Sequence, residues 1–239
     1  MKKDQIADFY DEFSTKQVKT GANERLISLY KRLKNLGLKP NSKILELGCG
    51  VGIFTNLISK NLSVGLIEAV DLSDKSISIA QKQLKSKDNI RFAVADVVNY
   101  QPQNSDFNFI TLMDVIEHIP LDQHDMLFGN LAKICTDKTL IAINIPNPQY
   151  IGYSRIHEPE SLQIIDQEVH LFPLIQHFEK HNLELVFFEK YSIWEVEDYH
   201  FMVVRRKREF TLNHLADQRN ISQKVLKKIT SKIDAIKYK

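Results

Sequence analysis

Two rhythms of apolar residues alternate along this chain, and the alternation predicts a fold class. From about Asn23 to Leu36, the residues Leu26, Leu29, Tyr30, Leu33 and Leu36 stand at helical spacing, and Gly37 closes the segment. Lys43 to Leu47 reads as strand one, Ile53 to Lys60 as a helix, and Val64 to Leu72 as strand two. Ser73 and Asp74 open a helix through Ile77, Ile79, Ala80 and Leu84. Strand three is Ile90 to Val94, strand four Phe107 to Leu112 and strand five Thr139 to Ile145, with Leu131 to Ile134 ending the helix between the last two. A helix around Leu171 to His181 precedes two adjacent strands, Leu183 to Ile193 and Tyr199 to Arg205. Strands separated by helices imply an α/β domain built on a doubly wound, mostly parallel sheet.

After Arg205 the pattern changes. Ile221, Val225, Ile229, Ile233 and Ile236 recur at spacings of three and four with lysines between them, which predicts a basic amphipathic helix. The expected division is a main domain over residues 1–205 and a helical tail over 206–239. Such a helix packs on its own domain, pairs with a second copy in a homodimer, or lies on an anionic surface. The net charge of +2 conceals an asymmetry: Arg205 to Lys239 holds eleven Lys or Arg against three acids, so residues 1–204 carry −6. An acidic body makes nucleic acid an unexpected partner for its working face, though not for the tail.

Hydrophobic residues make up 43% and charged residues 26% of the 239, a balance that belongs to globular proteins. No apolar run approaches the ~18 residues of a membrane span, and no hydrophobic region follows Met1-Lys2-Lys3-Asp4-Gln5, so neither a span nor a signal peptide is expected. Two cysteines, Cys49 and Cys135, cannot make a disulfide framework. The expected location is the cytoplasm.

The chemistry concentrates where strand one ends, in Glu46-Leu47-Gly48-Cys49-Gly50-Val51-Gly52, with Asp71 closing strand two. Glycines at alternate positions let backbone turn tightly and approach a ligand closely. Asp71 lies 23 positions after Gly48, near the ~20 expected of a carboxylate that grips ribose hydroxyls. A dinucleotide site favours G-x-G-x-x-G, whereas this turn is G-x-G-x-G behind a carboxylate. Glu46 would repel a pyrophosphate and suits a ligand bearing a positive amino group. The stretch resembles the first motif of the class I S-adenosylmethionine-dependent methyltransferases. That resemblance implies a Rossmann-like sheet of seven strands with an antiparallel strand in its C-terminal hairpin. It also implies S-adenosylmethionine as cofactor and S-adenosylhomocysteine as product. The glycine turn, with Glu46, Gly48, Cys49, Gly50 and Gly52, would lie under the methionine half, and Asp71 with Leu72 would hold the ribose. Asp96, after strand three, would take the adenine amino group beside Val97.

Strand four runs into Met113-Asp114-Val115-Ile116-Glu117-His118, which resembles the fourth motif of that family, where the chain passes the transferable methyl group. A helical turn starting near Asp114 would place Asp114, Glu117 and His118 on one face, a donor set suited to Mg²⁺ or Mn²⁺. The spacing resembles the E-x-x-E-H of ubiquinone-pathway O-methyltransferases and small-RNA 2′-O-methyltransferases, with Asp114 in place of the first Glu. In the RNA enzymes a later histidine completes the metal site, and His170 is the candidate here. An oxygen or nitrogen nucleophile must also lose a proton, and His118 and His170 are the candidate general bases.

Three segments are expected to recognise the acceptor: a helical lid at Phe9-Tyr10-Asp11-Glu12-Phe13, a long polar insertion from Ile145 to Ile165, and the turn Trp194 to Tyr199. Their aromatics among carboxylates and amides suit a polyhydroxylated ring. Phrases such as Gly21-Ala22-Asn23-Glu24-Arg25 and Leu162-Gln163-Ile164-Ile165-Asp166-Gln167 are similar to bacterial methyltransferases of polysaccharide and secondary-metabolite biosynthesis. The expected activity is O-methylation of a sugar, glycan precursor or similar small metabolite; the alternatives are RNA methylation and a non-catalytic cofactor-binding subunit.

Overall fold

A computed structural model describes residues 21–163, 165–212 and 221–237. Of these, the residues from 21 to Lys207 form one compact unit, and those from Arg208 onward a second. The unit ends two residues later than the sequence suggested because the last strand reaches Arg206 and the Lys207 N–H donates to the Asn182 carbonyl at 2.9 Å. The expected lid at Phe9–Phe13 lies outside the described residues.

In chain order the first unit contains α1 (Glu24–Asn35), β1 (Lys43–Leu47), α2 (Ile53–Ser59), β2 (Leu66–Asp71), α3 (Asp74–Gln83), β3 (Ile90–Val94), β4 (Phe109–Met113), α4 (His124–Ile134), β5 (Leu140–Pro146), α5 (Pro148–His157), α6 (Leu171–Lys180), β6 (Leu183–Tyr191) and β7 (Tyr199–Arg206). The second unit contains α7 (Ile221–Lys237), where the apolar spacing called for a helix. Among the described residues, no helix is long and apolar enough to cross a membrane.

The sheet has seven strands in the order β3-β2-β1-β4-β5-β7-β6. β7 runs antiparallel to both its neighbours, and the other pairings are parallel. Central strands covered on both faces must be apolar throughout, and β1, β4 and β5 are buried almost end to end. Alternate residues feed two cores. Leu45, Leu47, Ile110, Leu112 and Ile143 pack with Phe128 of α4 and Phe178 of α6, while Ile44, Ile67, Ala69 and Phe109 pack with Leu29 and Leu33 of α1 and Phe54 and Ile58 of α2.

Several boundaries differ from the apolar pattern for local reasons. Strand two starts at Leu66, not Val64, because the N–H groups of Ser63, Val64 and Gly65 all donate to the Pro40 carbonyl at 2.9–3.2 Å. Strand four is shifted to Phe109–Met113: Asn108 precedes it and accepts the Lys43 N–H on its Oδ1 at 2.8 Å. The polar insertion after β5 contains a helix. Asn147 caps it through the Gln149 N–H at 3.0 Å, and Pro148 occupies the first turn, where its missing N–H costs nothing.

β1 and β4 are neighbours although two further strands separate them in sequence. Chain leaves them in opposite directions across the sheet, so a crevice opens beyond their carboxyl ends. Packing of α4 and α6 supports one side of it. Phe128 is fully buried and meets Phe178 edge-on at 4.8 Å. Phe128→Ala is expected to cost about 3–5 kcal/mol, read as a lowered midpoint in urea with an unchanged slope.

Candidate active site

The crevice begins with the turn after β1. Gly48, Gly50 and Gly52 have φ of +76°, +52° and +81°, the left-handed region that side chains resist. Gly48 carries a second constraint: a Cβ there would lie 2.4 Å from Val115 Cγ2. Only glycine lets the turn meet the segment that follows β4. Gly48 and Cys49 both donate their N–H to the Val70 carbonyl, at 2.8 and 2.9 Å. Asp71 accepts the Gly50 N–H on Oδ2 at 2.7 Å and the Ser73 N–H on Oδ1 at 2.9 Å. These two bonds aim the Asp71 carboxylate toward the crevice.

A cavity of about 640 Å³ occupies the crevice, a size typical of small-molecule sites. Glu46, Gly48, Gly50, Asp71, Leu72, Asp96, Val97, Met113 and Asp114 all line it. Cys49 and Gly52 do not. Cys49 is turned into the core with α1 and α2, and burial pushes its thiol well above the usual range. Gly52 instead opens α2 and packs 3.0 Å, at the position of an added Cβ, from Ala80 of α3. Asp96 both lines the cavity and accepts the Val98 N–H at 3.0 Å, so it fixes its own turn while facing the site.

Glu46 is the residue that fits a cationic ligand best. It is 3% exposed, and its Oε2 receives no hydrogen bond among the described residues. Burial, reinforced by the nearby Asp71 charge, raises its carboxyl to about 8. An ammonium group placed there would supply the missing donor and the missing counter-charge. The residues present therefore suit the amino-acid half and the ribose of S-adenosylmethionine.

Beyond β4 the structure departs from the expected metal site. Asp114 sits at φ +58° before a short 3₁₀ turn, Ile116–His118, and is not the start of a helix presenting Asp114, Glu117 and His118 together. Its carboxylate is already engaged: Oδ2 pairs with Arg25 of α1, and Oδ1 accepts the Asn144 amide at 2.7 Å. Asn144 in turn accepts the Tyr191 hydroxyl at 2.8 Å. His170 is 60% exposed at the start of α6, with Glu168 at 3.9 Å, and it does not line the cavity. Asp114, Glu117, His118 and His170 are thus not gathered, and no group of three or more His, Cys, Asp or Glu among the described residues is placed to hold a metal ion. His170 is likewise not beside His118 as a second base.

His118 does line the cavity, and its partner was not legible in the sequence. Its Nδ1 lies 2.5 Å from the Ile165 carbonyl and 3.1 Å from Asp166 Oδ1. Two acceptors at Nδ1 keep the proton there, which makes Nε2 the basic atom of the neutral ring. Burial disfavours the charged ring, but the Asp166 carboxylate, the Glu117 charge and the Ile165 carbonyl outweigh it and raise the pKa above its ordinary value. Asp166 is lowered, although its burial opposes this, by its hydrogen bond to His118. Asp166 stands 48 positions after His118, and nothing in the spacing links the two.

The rim is aromatic. Tyr150 of α5, Trp194 and Tyr199 line the cavity. Asp198 holds the β6–β7 turn by accepting the N–H groups of Ile193, Trp194 and Glu195 at 2.9–3.2 Å. Asn147 ties that turn to α5 by donating to the Glu197 carbonyl at 2.8 Å. The Arg25 guanidinium lies 5.6 Å from the Tyr199 ring.

A family model described as a methyltransferase domain matches residues 15–191. Over 67 residues the chain is 39% identical to malonyl-[acyl-carrier protein] O-methyltransferase 1 of Ilyobacter polytropus, a stretch covering 28% of this chain and 25% of that protein. It is 25% identical over 123 residues to phosphoethanolamine N-methyltransferase 2 of Caenorhabditis elegans, covering 51% of this chain and 27% of that one. The chain thus spans about a quarter of the length of these two curated relatives. Among solved structures it superposes on magnesium protoporphyrin IX methyltransferase from Synechocystis with bound SAH, at a TM-score of 0.67 and 14% identity, covering 86% of this chain and 99% of that one. At that identity the likeness shows the fold.

Two outcomes are expected at this end of the cavity. An ammonium-bearing ligand must deprotonate Glu46, so binding of S-adenosylhomocysteine should release a proton and tighten as pH rises from about 6 to about 7. Calorimetry in buffers of different ionisation enthalpy measures this, and Glu46→Gln should abolish the release. Gly48→Ala should lower stability by about 1–3 kcal/mol through its forced φ and weaken the same ligand at least roughly tenfold; an unchanged denaturation midpoint and affinity would contradict the packing against Val115.

Proposed function

This chain belongs to the methyltransferase-domain family, and from that membership we propose that it transfers the methyl group of S-adenosylmethionine to a hydroxyl of a small polyhydroxylated acceptor, such as a sugar or glycan precursor. The cofactor supplies an electrophilic methyl on a sulfonium sulfur that leaves as a neutral thioether. Glu46 would hold the ammonium, Asp71 the ribose hydroxyls and Asp96 the adenine edge, leaving the part of the cavity beyond Met113 and Asp114 for the acceptor. Much of the acceleration in such an in-line displacement comes from alignment.

The observation that carries the reading is His118 on the cavity wall, its Nδ1 held between the Ile165 carbonyl and Asp166. With that cofactor bound, the acceptor oxygen would take the methyl carbon while the carbon–sulfur bond's electron pair went to sulfur. The hydroxyl proton passes to His118 Nε2. Asp166 holds the tautomer and stabilises the imidazolium that forms. Tyr150, Trp194 and Tyr199 suit stacking on a ring whose hydroxyls face the polar wall.

A raised histidine pKa fixes the pH dependence. The base is the neutral ring, so kcat/KM should climb with pH along a limb centred above the ordinary value of about 6.5. Asp166→Asn removes a group that favours the charged ring and should move that limb to lower pH while reducing the plateau. His118→Gln should cost about 10²–10⁴-fold in kcat with S-adenosylhomocysteine affinity unchanged. A full rate in His118→Gln would remove the residue from the chemistry.

A further inference from the structure

Methyl transfer to a hydroxyl leaves one carboxylate of the cavity wall without a task. Glu46, Asp71 and Asp96 face the cofactor half, Asp114 is paired with Arg25, and Asp166 holds His118 and accepts the Gln163 N–H at 2.7 Å. Glu117 remains. It is 1% exposed, and neither carboxylate oxygen receives a hydrogen bond from another of the described residues, its own backbone N–H being the one donor beside it. His118 Nε2 stands 3.9 Å from its Oε1, beyond hydrogen-bond reach. Its charge acts on His118, Asp166, Arg25 and Tyr199, and every one of these lines the cavity, as Glu117 itself does. The carboxylate therefore sits at the acceptor wall, between the base and the aromatic rim.

A buried carboxylate short of donors is costly unless a ligand completes it. Burial pushes the Glu117 carboxyl up to about 7, with the His118 charge pulling it back down. Gln163, whose backbone is bound to Asp166, adds another buried acceptor oxygen without a donor among the described residues. A wall of acceptors calls for a ligand that donates, and an ammonium donates three N–H bonds and a positive charge. The surrounding charge selects in the same direction. The described lining holds six carboxyl groups against the single guanidinium of Arg25, so a phosphate or carboxylate on the acceptor would meet like charge.

Resting on the methyl-transfer reading above, we infer that Glu117 is an acceptor-recognition residue, and that the acceptor is a hydroxylated molecule carrying a protonated amine. The amine is the handle, held by Glu117, and the hydroxyl beside His118 is the group methylated.

The test uses the full chain saturated with S-adenosylhomocysteine and a panel of hydroxylated primary amines, amino sugars included, each matched with its N-acetylated and its carboxylated analogue. Thermal melting reports binding. The expected result is stabilisation by amines alone, weakened roughly 10–100-fold in apparent affinity by Glu117→Gln, as for loss of a charged hydrogen bond, with S-adenosylhomocysteine binding unchanged. Stabilisation by the acetylated or carboxylated members, by no member, or equally in Glu117→Gln would overturn the inference. Labelled methyl transfer from S-adenosylmethionine to the same panel separates the two readings. Label entering neutral or acidic hydroxyl compounds without preference for amines keeps the methyltransferase and removes the role of Glu117. Amines that bind through Glu117 but gain no methyl at a hydroxyl keep that role and remove hydroxyl methylation.

Discussion

The whole site depends on a contact that excludes a methyl-sized group: Gly48 against Val115. β1 and β4 are adjacent in the sheet, and the chain must leave the first through a left-handed turn and the second through Asp114, itself at φ +58°. With no Cβ between them, the two exits close on each other. The half of the cavity under Glu46 and Asp71, proposed for the cofactor, and the half around Glu117 and His118, proposed for the acceptor, then share one continuous space. Arg25 of α1 pins the same corner by pairing with Asp114, and Asn144 of β5 holds Asp114 from behind. The buried strands give this corner its rigidity, because their register is set by residues packed on both faces.

Electrostatics divides the cavity between two kinds of carboxylate. Asp71, Asp114 and Asp166 are each engaged with a backbone N–H, a guanidinium or an imidazole, and they act by orienting what they touch. Glu46 and Glu117 are nearly sealed from solvent, lack full complements of donors, and have pKa values raised toward neutrality. In the proposed reaction the protein stores unfavourable burial at these two points, and the positive groups of two ligands relieve it.

The sheet was legible in the sequence because its periodicity is local: β1 as Lys43–Leu47 and β3 as Ile90–Val94 follow directly from apolar runs. That Glu46, the glycine turn and Asp71 meet was legible for the same reason, since they lie on consecutive elements whose order brings them to one cavity. The surroundings of Glu117 and His118 were not. Asp114, Glu117 and His118 have a spacing that suits one helical face, but Asp114 precedes a short 3₁₀ turn and its carboxylate answers to Arg25, 89 positions earlier. His118 finds Asp166, and Asn147 finds the β6–β7 turn, through tertiary contacts that no periodicity records. The helix α5 was hidden because its composition is polar, and its start rests on an asparagine cap and a proline.

The most direct check is a crystal structure with S-adenosylhomocysteine bound. The ligand's ammonium should lie within hydrogen-bond distance of Glu46, its ribose hydroxyls on Asp71, and its sulfur toward the half of the cavity that holds His118. A ligand seated with Glu46 far from any nitrogen, or with its sulfur turned away from His118, would contradict both the cofactor site and the assignment of the base.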